Sequence, residues 1–309
     1  MTTTHVPASM APLWQMDPMA LDARLRDFLS EDIGHVDLTA TLMIDEDSIG
    51  RFEMRAREPM TLAGLSVAAR VFLLYDPTVD IEMSATDGQT VAEGTTLMRL
   101  QGPARSLLTV ERTALNLIQH LSGIATLTAQ YAERIAGTGA QLVDTRKTTP
   151  GLRALEKHAV ACGGGRNHRL GLDSGVMLKD NHIAVCGSIT AAVARARSRV
   201  PVLTRIEVEC DRLDQVEEAL AAGADIIMLD NMSTATMKSA VELVAGRVPL
   251  EASGGVRLET IRDIAETGVD FISVGRLTQS APAVDIGLDD APDDLARTPP
   301  SSPMSPPGS

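Results

Sequence analysis

The sequence predicts an α/β protein, a small α+β domain followed by repeated βα units that build a parallel sheet or a barrel. Two observations carry this. From Gln141 to about Asp285 short apolar runs alternate with amphipathic segments of helical spacing, the pattern of parallel strands buried between helices. Within that stretch Gly223-Ala224-Asp225 and Gly268-Val269-Asp270 repeat one helix-stop, strand-start signal a unit apart. The length of 309 residues leaves room for about two domains, and α/β barrels often fill that length alone.

Taken in order, residues 1–20 form an N-terminal extension, and Met1–Gln15 lack the basic and apolar regions of a secretory signal. Leu21–Leu29 has helical spacing and breaks at Glu31-Asp32-Ile33-Gly34. Arg51–Arg57 and Val79–Met83 alternate as strands do. The turn dipeptides Asp87-Gly88 and Glu93-Gly94 bracket Gln89–Ala92 and precede Thr95–Leu100, which reads as a β-meander. Ser106 to Ile135 is a long helical pattern with Leu107, Val110, Leu115, Ile118 and Leu121 on its apolar face, and Ser122-Gly123 predicts a kink or a join between two helices. The barrel strands are Gln141–Asp144, Gly175–Leu178, Leu203–Glu209, Asp225–Leu229, Val248–Ala252 and Phe271–Val274; helices between them include Leu213–Ala222, Thr234–Val244 and Leu258–Thr267. The tail from Ala291 is different material. Its last part, Thr298–Ser309, holds five prolines and four serines without periodicity, so it is expected to be disordered.

Composition narrows the function. Only seven residues are aromatic, so aliphatic side chains and methionine must fill the core. No apolar run approaches the ~20 residues of a membrane span. Three cysteines at wide spacing fit neither a disulfide framework nor a zinc knuckle and point to a reducing cytoplasm. The histidines show no zinc spacing, and Cys162, with no histidine–carboxylate pairing evident around it, reads as a buried small hydrophobe. A net charge of −13 argues against nucleic acid or anionic membrane as the main partner. The distribution runs the other way in one place. Between Arg105 and His182 lie ten Lys and Arg against six Asp and Glu, with Lys147, Lys157 and Lys179 among them and four of the six histidines. A cationic island in an acidic chain suits a small, highly charged anion.

The residues at the strand ends locate the chemistry. Asp144-Thr145-Arg146-Lys147-Thr148 comes after the first strand and Lys179-Asp180-Asn181-His182 after the second. The third ends in Glu207-Val208-Glu209, whose two glutamates the two-residue period puts on one face. Asp230-Asn231, Ser253-Gly254-Gly255 and Val274-Gly275-Arg276 end the other three. In βα barrels the carboxyl ends of the strands build the active site, and glycine loops after late strands bind phosphate. Cys162-Gly163-Gly164-Gly165-Arg166-Asn167-His168-Arg169 places a flexible glycine run before cations suited to carboxylate or phosphate.

These residues together resemble the quinolinate phosphoribosyltransferase family. The resemblance runs from about Leu21 to Leu288 and rests on Glu111-Arg112-Thr113-Ala114-Leu115-Asn116, Leu121-Ser122-Gly123-Ile124-Ala125-Thr126, Asp144 to Arg153, Gly163-Gly164-Gly165 with Asn167-His168-Arg169, Lys179-Asp180-Asn181-His182, and Glu251-Ala252-Ser253-Gly254-Gly255. It implies an N-terminal α/β sandwich (residues 21–115, joined by part of 276–290) on an incomplete, open α/β barrel (116–275), followed by the tail at 291–309. It implies transfer of ribose 5-phosphate from phosphoribosyl pyrophosphate to quinolinate, with loss of carbon dioxide and pyrophosphate, giving nicotinate mononucleotide for NAD synthesis. It implies a homodimer with shared sites. Arg146, His168, Arg169 and Lys179 would surround the quinolinate carboxylates, joined by Arg112 of the partner subunit. Thr145 stands in the same substrate-binding run. Lys147 would reach pyrophosphate or ribose, and Glu209 and Asp230 would hold ribose hydroxyls and magnesium, directly or through water; Lys147, Glu209 and Asp230 are the catalytic set. Ser253, Gly254, Gly255, Val274, Gly275 and Arg276 would cradle the 5-phosphate.

The chain departs from the family pattern at Val36, where glycine is usual, at Asp173-Ser174, which inverts a common order, and at Arg276 and Gln279, which replace Ala and His. A related protein associated with molybdate transport shares the fold but is expected to lack Asn167-His168-Arg169 combined with Lys179-Asp180-Asn181-His182. A barrel kept only to bind nucleotides would be expected to have lost Lys147, Lys179, Glu209 or Asp230; all four are present.

Overall fold

The structure, a computed structural model, describes residues 17–291. The Pro/Ser-rich tail and the N-terminal extension up to residue 16 lie outside the described residues.

Helix α1 (Pro18–Ile33) starts where Asp17 accepts the Met19 amide at 2.9 Å and Pro18 supplies a preset φ, and it ends at Gly34. It buries Leu21, Leu25 and Leu29, the face the sequence marks. After α2 (Leu38–Met43) come β1 (Ile49–Ala56), β2 (Met60–Thr61), α3 (Leu65–Tyr75), β3 (Asp80–Met83), β4 (Thr90–Val91) and β5 (Thr96–Pro103). The expected meander is not formed. β3 pairs directly with β5, while β4 leaves to pair with β2. The cause is the turn at residues 87–89. Asp87 Oδ1 accepts the Leu65 amide at 2.9 Å, and Leu62 exchanges backbone bonds with Gly88 and Gln89, which pulls this segment towards residues 60–65.

Helix α4 (Ala104–Arg134) is one unbroken element of 31 residues, not two helices joined at Ser122-Gly123. Those residues are small because other backbone passes there. Ser122 Oγ bonds both the amide and the carbonyl of Ala63, and a Cβ on Gly123 would stand 2.1 Å from the Pro282 carbonyl oxygen. The helix packs on α3 and α1 at one end and reaches the barrel at the other.

The barrel comprises β6 (Gln141–Val143), α5 (Arg153–Cys162), β7 (Val176–Leu178), α6 (Asp180–Cys186), α7 (Ile189–Arg197), β8 (Ile206–Cys210), α8 (Leu213–Ala221), β9 (Ile226–Asp230), α9 (Thr234–Val244), β10 (Leu250–Ser253), α10 (Ile261–Ala265), β11 (Phe271–Ser273) and α11 (Arg276–Gln279). Its six strands pair in parallel in the order β6-β11-β10-β9-β8-β7. β6 and β7 are edges and do not meet, so the barrel is open. The free edge of β6 is covered by the segment around Arg166, whose amide donates to Leu142 at 2.8 Å and whose carbonyl accepts from Asp144 at 3.1 Å. The chain then returns through β12 (Ile286–Asp290) to the first sheet, which runs β12-β1-β5-β3, all antiparallel.

Two expectations change here. Gly163 and Gly165 are wedged rather than flexible, a Cβ on Gly163 lying 2.4 Å from the Ala125 carbonyl oxygen and one on Gly165 2.7 Å from Val160, and Gly164 between them takes a φ of +86°. Lys157 belongs to the interior, not to the cationic island. Its ammonium is fully buried and ion-paired with Asp144.

Candidate active site

A cavity of about 740 Å³ opens at the carboxyl ends of the barrel strands. Thr145, Arg146 and Lys147 reach it from the end of β6, and His168 and Arg169 from the segment beside it. Lys179 comes directly after β7, Glu209 is the penultimate residue of β8, Asp230 ends β9, and Ser253, Gly254, Gly255, Val274, Gly275 and Arg276 close β10 and β11. Arg112 is the exception. It is exposed on α4 and is not part of the lining of this cavity.

Arg146 and Arg169 are held open to a ligand rather than neutralised by a carboxylate. Arg146 Nε is buried with no hydrogen-bond partner among the described residues. Arg169 spends its guanidinium on Gly175 O at 3.2 Å and the Met177 sulfur at 3.6 Å, and burial with the like charge of Arg146 lowers its pKa. Lys179 pairs with Glu209 across neighbouring strands. Two like charges brought together out of water favour an anion between them.

Beneath these cations lies a cluster that the sequence only half reveals. His168 Nε2 is 3.1 Å from a carboxylate oxygen of Glu207 and 3.2 Å from one of Glu251. Both glutamates are buried, and each keeps its other oxygen without a partner. His168 Nδ1 lies 2.8 Å from the Arg169 amide nitrogen, and Nε2 carries a proton between the carboxylates. Burial alone would lower the pKa of His168; the hydrogen bonds and charges of Glu207 and Glu251 outweigh it and push it up to about 10. Burial pushes Glu207 up as well. The sequence places Glu207 and Glu209 on one strand face, and both point into the barrel: Glu207 deep, Glu209 at the rim. Glu251, Asp144, Asn231 and Arg257, to which the sequence alone assigns no role, also line the cavity. For Glu251 the signal is present: it lies two residues before Ser253 on a buried strand, which puts it on the same inward face.

Gly254 shows how the glycine end is built. It has φ of +93°, and a Cβ would collide with Asn231 Oδ1 at 2.1 Å. Asn231, itself at φ of 54°, donates its amide to Ser253 O at 2.9 Å. The ends of β9 and β10 are therefore locked together with their backbone bare, as close approach to a phosphate requires. Arg276 opens α11 beside them, and Thr278 ties that helix to the Lys147 carbonyl at 2.7 Å.

Glu209 and Asp230 offer hard oxygen donors on adjacent strands. Asp230 Oδ2 accepts from Asn231 Nδ2 at 2.8 Å. Two carboxylates without a further protein ligand among the described residues suit magnesium, which keeps several waters and takes the rest from substrate phosphates.

Comparison with known proteins agrees with this geometry. Residues 37–122 match the model of the quinolinate phosphoribosyl transferase N-terminal domain and residues 124–289 that of the C-terminal domain. The probable nicotinate-nucleotide pyrophosphorylase (carboxylating) of Synechocystis sp. is 46% identical over 291 residues, covering 93% of this chain and 97% of that protein. The corresponding enzyme of Mycobacterium leprae is 42% identical, covering 86% and 95%. The crystal structure of NadC from Streptococcus pyogenes superposes with a TM-score of 0.86 at 42% identity, covering 90% of this chain and 99% of that one. With both domain models matched in order along one open barrel and its partner sheet, the chain belongs to the quinolinate phosphoribosyltransferase family.

Proposed function

We propose that the protein transfers ribose 5-phosphate from phosphoribosyl pyrophosphate to the ring nitrogen of quinolinate, releasing pyrophosphate and carbon dioxide and giving nicotinate mononucleotide for NAD synthesis. The observation that carries this is the convergence of Arg146, Lys147, Arg169 and Lys179 with Glu209 and Asp230 in one cavity that ends in bare glycine backbone.

The quinolinate nitrogen attacks C1′ of the ribose, and the bond from C1′ to the pyrophosphate oxygen breaks. The resulting pyridinium accepts the electron pair left when the adjacent carboxylate departs as carbon dioxide, and that ring carbon takes a proton. The substrate supplies its own electron sink, so the protein's work is to position and to neutralise. Arg146, Arg169 and Lys179 hold the carboxylates; His168, whose ring is spent on Glu207, Glu251 and the Arg169 amide, sets the position of Arg169 beside them. Lys147 meets the pyrophosphate. Ser253, Gly254, Gly255, Val274, Gly275 and Arg276 receive the 5-phosphate, and the added charge of Arg276 suits that end. Glu209 and Asp230 hold the ribose hydroxyls, and the same two carboxylates would hold a magnesium ion, whose charge would screen the departing pyrophosphate. The Lys179–Glu209 pair opens when quinolinate takes the ammonium. The placement of Arg112 on the outside of α4 supports a homodimer in which it completes the partner's pocket. The three free cysteines support a reducing cytoplasmic setting, and among the described residues no helix is long and apolar enough to cross a membrane.

The test is direct. With magnesium and both substrates, nicotinate mononucleotide and pyrophosphate should form in equal amounts. Replacing quinolinate by nicotinate should abolish turnover, because nicotinate lacks one carboxylate for the cationic pocket. Equal turnover of the two acids, or none of either, would overturn the reading.

A further inference from the structure

Away from the cavity, Asp87, His158 and Cys162 bring three different ligand types to one point. His158 Nε2 is 2.9 Å from Asp87 Oδ2 and 3.4 Å from Cys162 Sγ, and all three ligand atoms lie within 4.8 Å of one another. This corrects the sequence reading twice. Cys162 is half-buried beside a histidine–carboxylate pair, and a histidine and a cysteine four residues apart on α5 share one helix face. We infer that Asp87, His158 and Cys162 form a binding site for one borderline divalent cation of the zinc class, joining the N-terminal domain to the barrel.

The geometry suits such an ion. Tetrahedral zinc, with bonds of about 2.0–2.3 Å, sets neighbouring ligand atoms roughly 3.3–3.6 Å apart. The Cys162–His158 separation already falls there, and the Asp87–His158 separation has to open by about half an ångström. Mixed nitrogen, sulfur and oxygen donors select zinc, cobalt or nickel over magnesium or calcium. The site is oriented from outside: Asp87 Oδ1 is held by the Leu65 amide at 2.9 Å, the kind of support that fixes a metal-ligating carboxylate. The side chains of His158 and Asp87 are only 9% and 14% exposed and Cys162 is half-buried, so a water would complete a tetrahedral set of ligands. Without a cation, burial and the charge of Asp87 push the Cys162 thiol up to about 12. A divalent charge among the three ligands reverses that, and the thiol gives up its proton on binding.

The location gives the site a purpose. Cys162 is the last residue of α5, and Gly163 to Gly165 lead directly to His168 and Arg169. A cation here would clamp the turn between β3 and β4 onto the root of the segment that carries the substrate cations.

Cobalt(II) alone, titrated into the metal-stripped full-length protein, tests this. One equivalent should produce near-ultraviolet thiolate-to-cobalt absorption with tetrahedral visible bands, and zinc should displace it. Ions taken up by Glu209 and Asp230 have oxygen ligands and give no thiolate absorption. Cys162→Ser and His158→Tyr should abolish the signal, while Cys186→Ser should keep it. Asp87→Asn, which leaves shape and packing nearly unchanged, should weaken binding by more than about tenfold. Zinc should raise the thermal midpoint of the wild type but not of Cys162→Ser. Absence of thiolate absorption in the wild type, its persistence in Cys162→Ser, or unchanged affinity in Asp87→Asn would overturn the site.

Discussion

Lys157 and Asp144 form an ion pair in which neither side chain has any solvent exposure, and that pair anchors the segment bearing His168. Asp144 also accepts Asn167 Nδ2 and the His168 amide, each at 2.8 Å. One buried carboxylate thus closes the end of β6 and fixes the start of the substrate-cation loop. Lys157→Met strands that carboxylate and should cost about 3–5 kcal/mol of stability, measured by denaturant unfolding. The double variant Asp144→Asn, Lys157→Met should recover much of the loss. A cost below about 1 kcal/mol for the single change would show that Asp144 is neutral without its lysine.

Proton occupancy at His168 is expected to resist pH. Its folded value, raised to about 10 by Glu207 and Glu251 against the effect of burial, lies above the ordinary value near 6.5. The stability this proton contributes is therefore complete below about pH 6.5 and fades as pH rises towards about 10. Imidazole resonances of His168 should stay flat between about pH 6 and 8.5. Glu207→Gln should bring the titration back into that range. A wild-type titration near pH 6.5 would dissolve the link between the three side chains.

Arg169→Ala and Lys179→Ala should each weaken quinolinate binding more than donor binding, by about 2–5 kcal/mol, because each removes the partner of a desolvated carboxylate. Titration with quinolinate alone, without the donor, reads this. Unchanged affinity in both variants would remove the carboxylate pocket from this end of the cavity.

If Arg112 acts in the partner's cavity, Arg112→Ala and Lys179→Ala homodimers are each inactive, yet mixing them should restore activity. A mixed dimer carries one site with both wild-type residues and one with neither, so about half the wild-type activity per mixed dimer is expected from positioning alone. Subunit exchange tracked by mass spectrometry, with no return of activity, would mean that the sites are not shared and that Arg112 acts in its own subunit or not at all.

The barrel is legible in the sequence because its strands are short, apolar and capped by chemistry. The pattern predicts a helix at Thr234–Val244, and α9 has those bounds; all six strand ends named for chemistry reach the cavity. Composition misleads where charge is counted without burial. Lys157 lies inside, Arg105 caps the Ile44 carbonyl at 2.8 Å, and Arg166 is bound to Gln141, so much of the cationic island is structural. The meander fails because the turn that leads into β4 is tied to residues 62–65, far back in the sequence, so that β4 pairs with β2. The roles of Glu251 and Asp144 depend on which side chains the closing barrel sets against them, and no local pattern encodes that.

The return of β12 to the first sheet has a consequence for synthesis. β1 holds β5 on one side and β12 on the other, yet 182 residues separate Pro103 at the end of β5 from Ile286 at the start of β12. At about 5–20 residues per second, a nascent chain carries that open strand edge for roughly ten to forty seconds. An open edge invites pairing with another chain, and the alternating Arg51, Glu53 and Arg55 of β1 place charges along it throughout the wait. The domain begun before the barrel is thus finished after it, and the whole barrel is made while that domain stands incomplete.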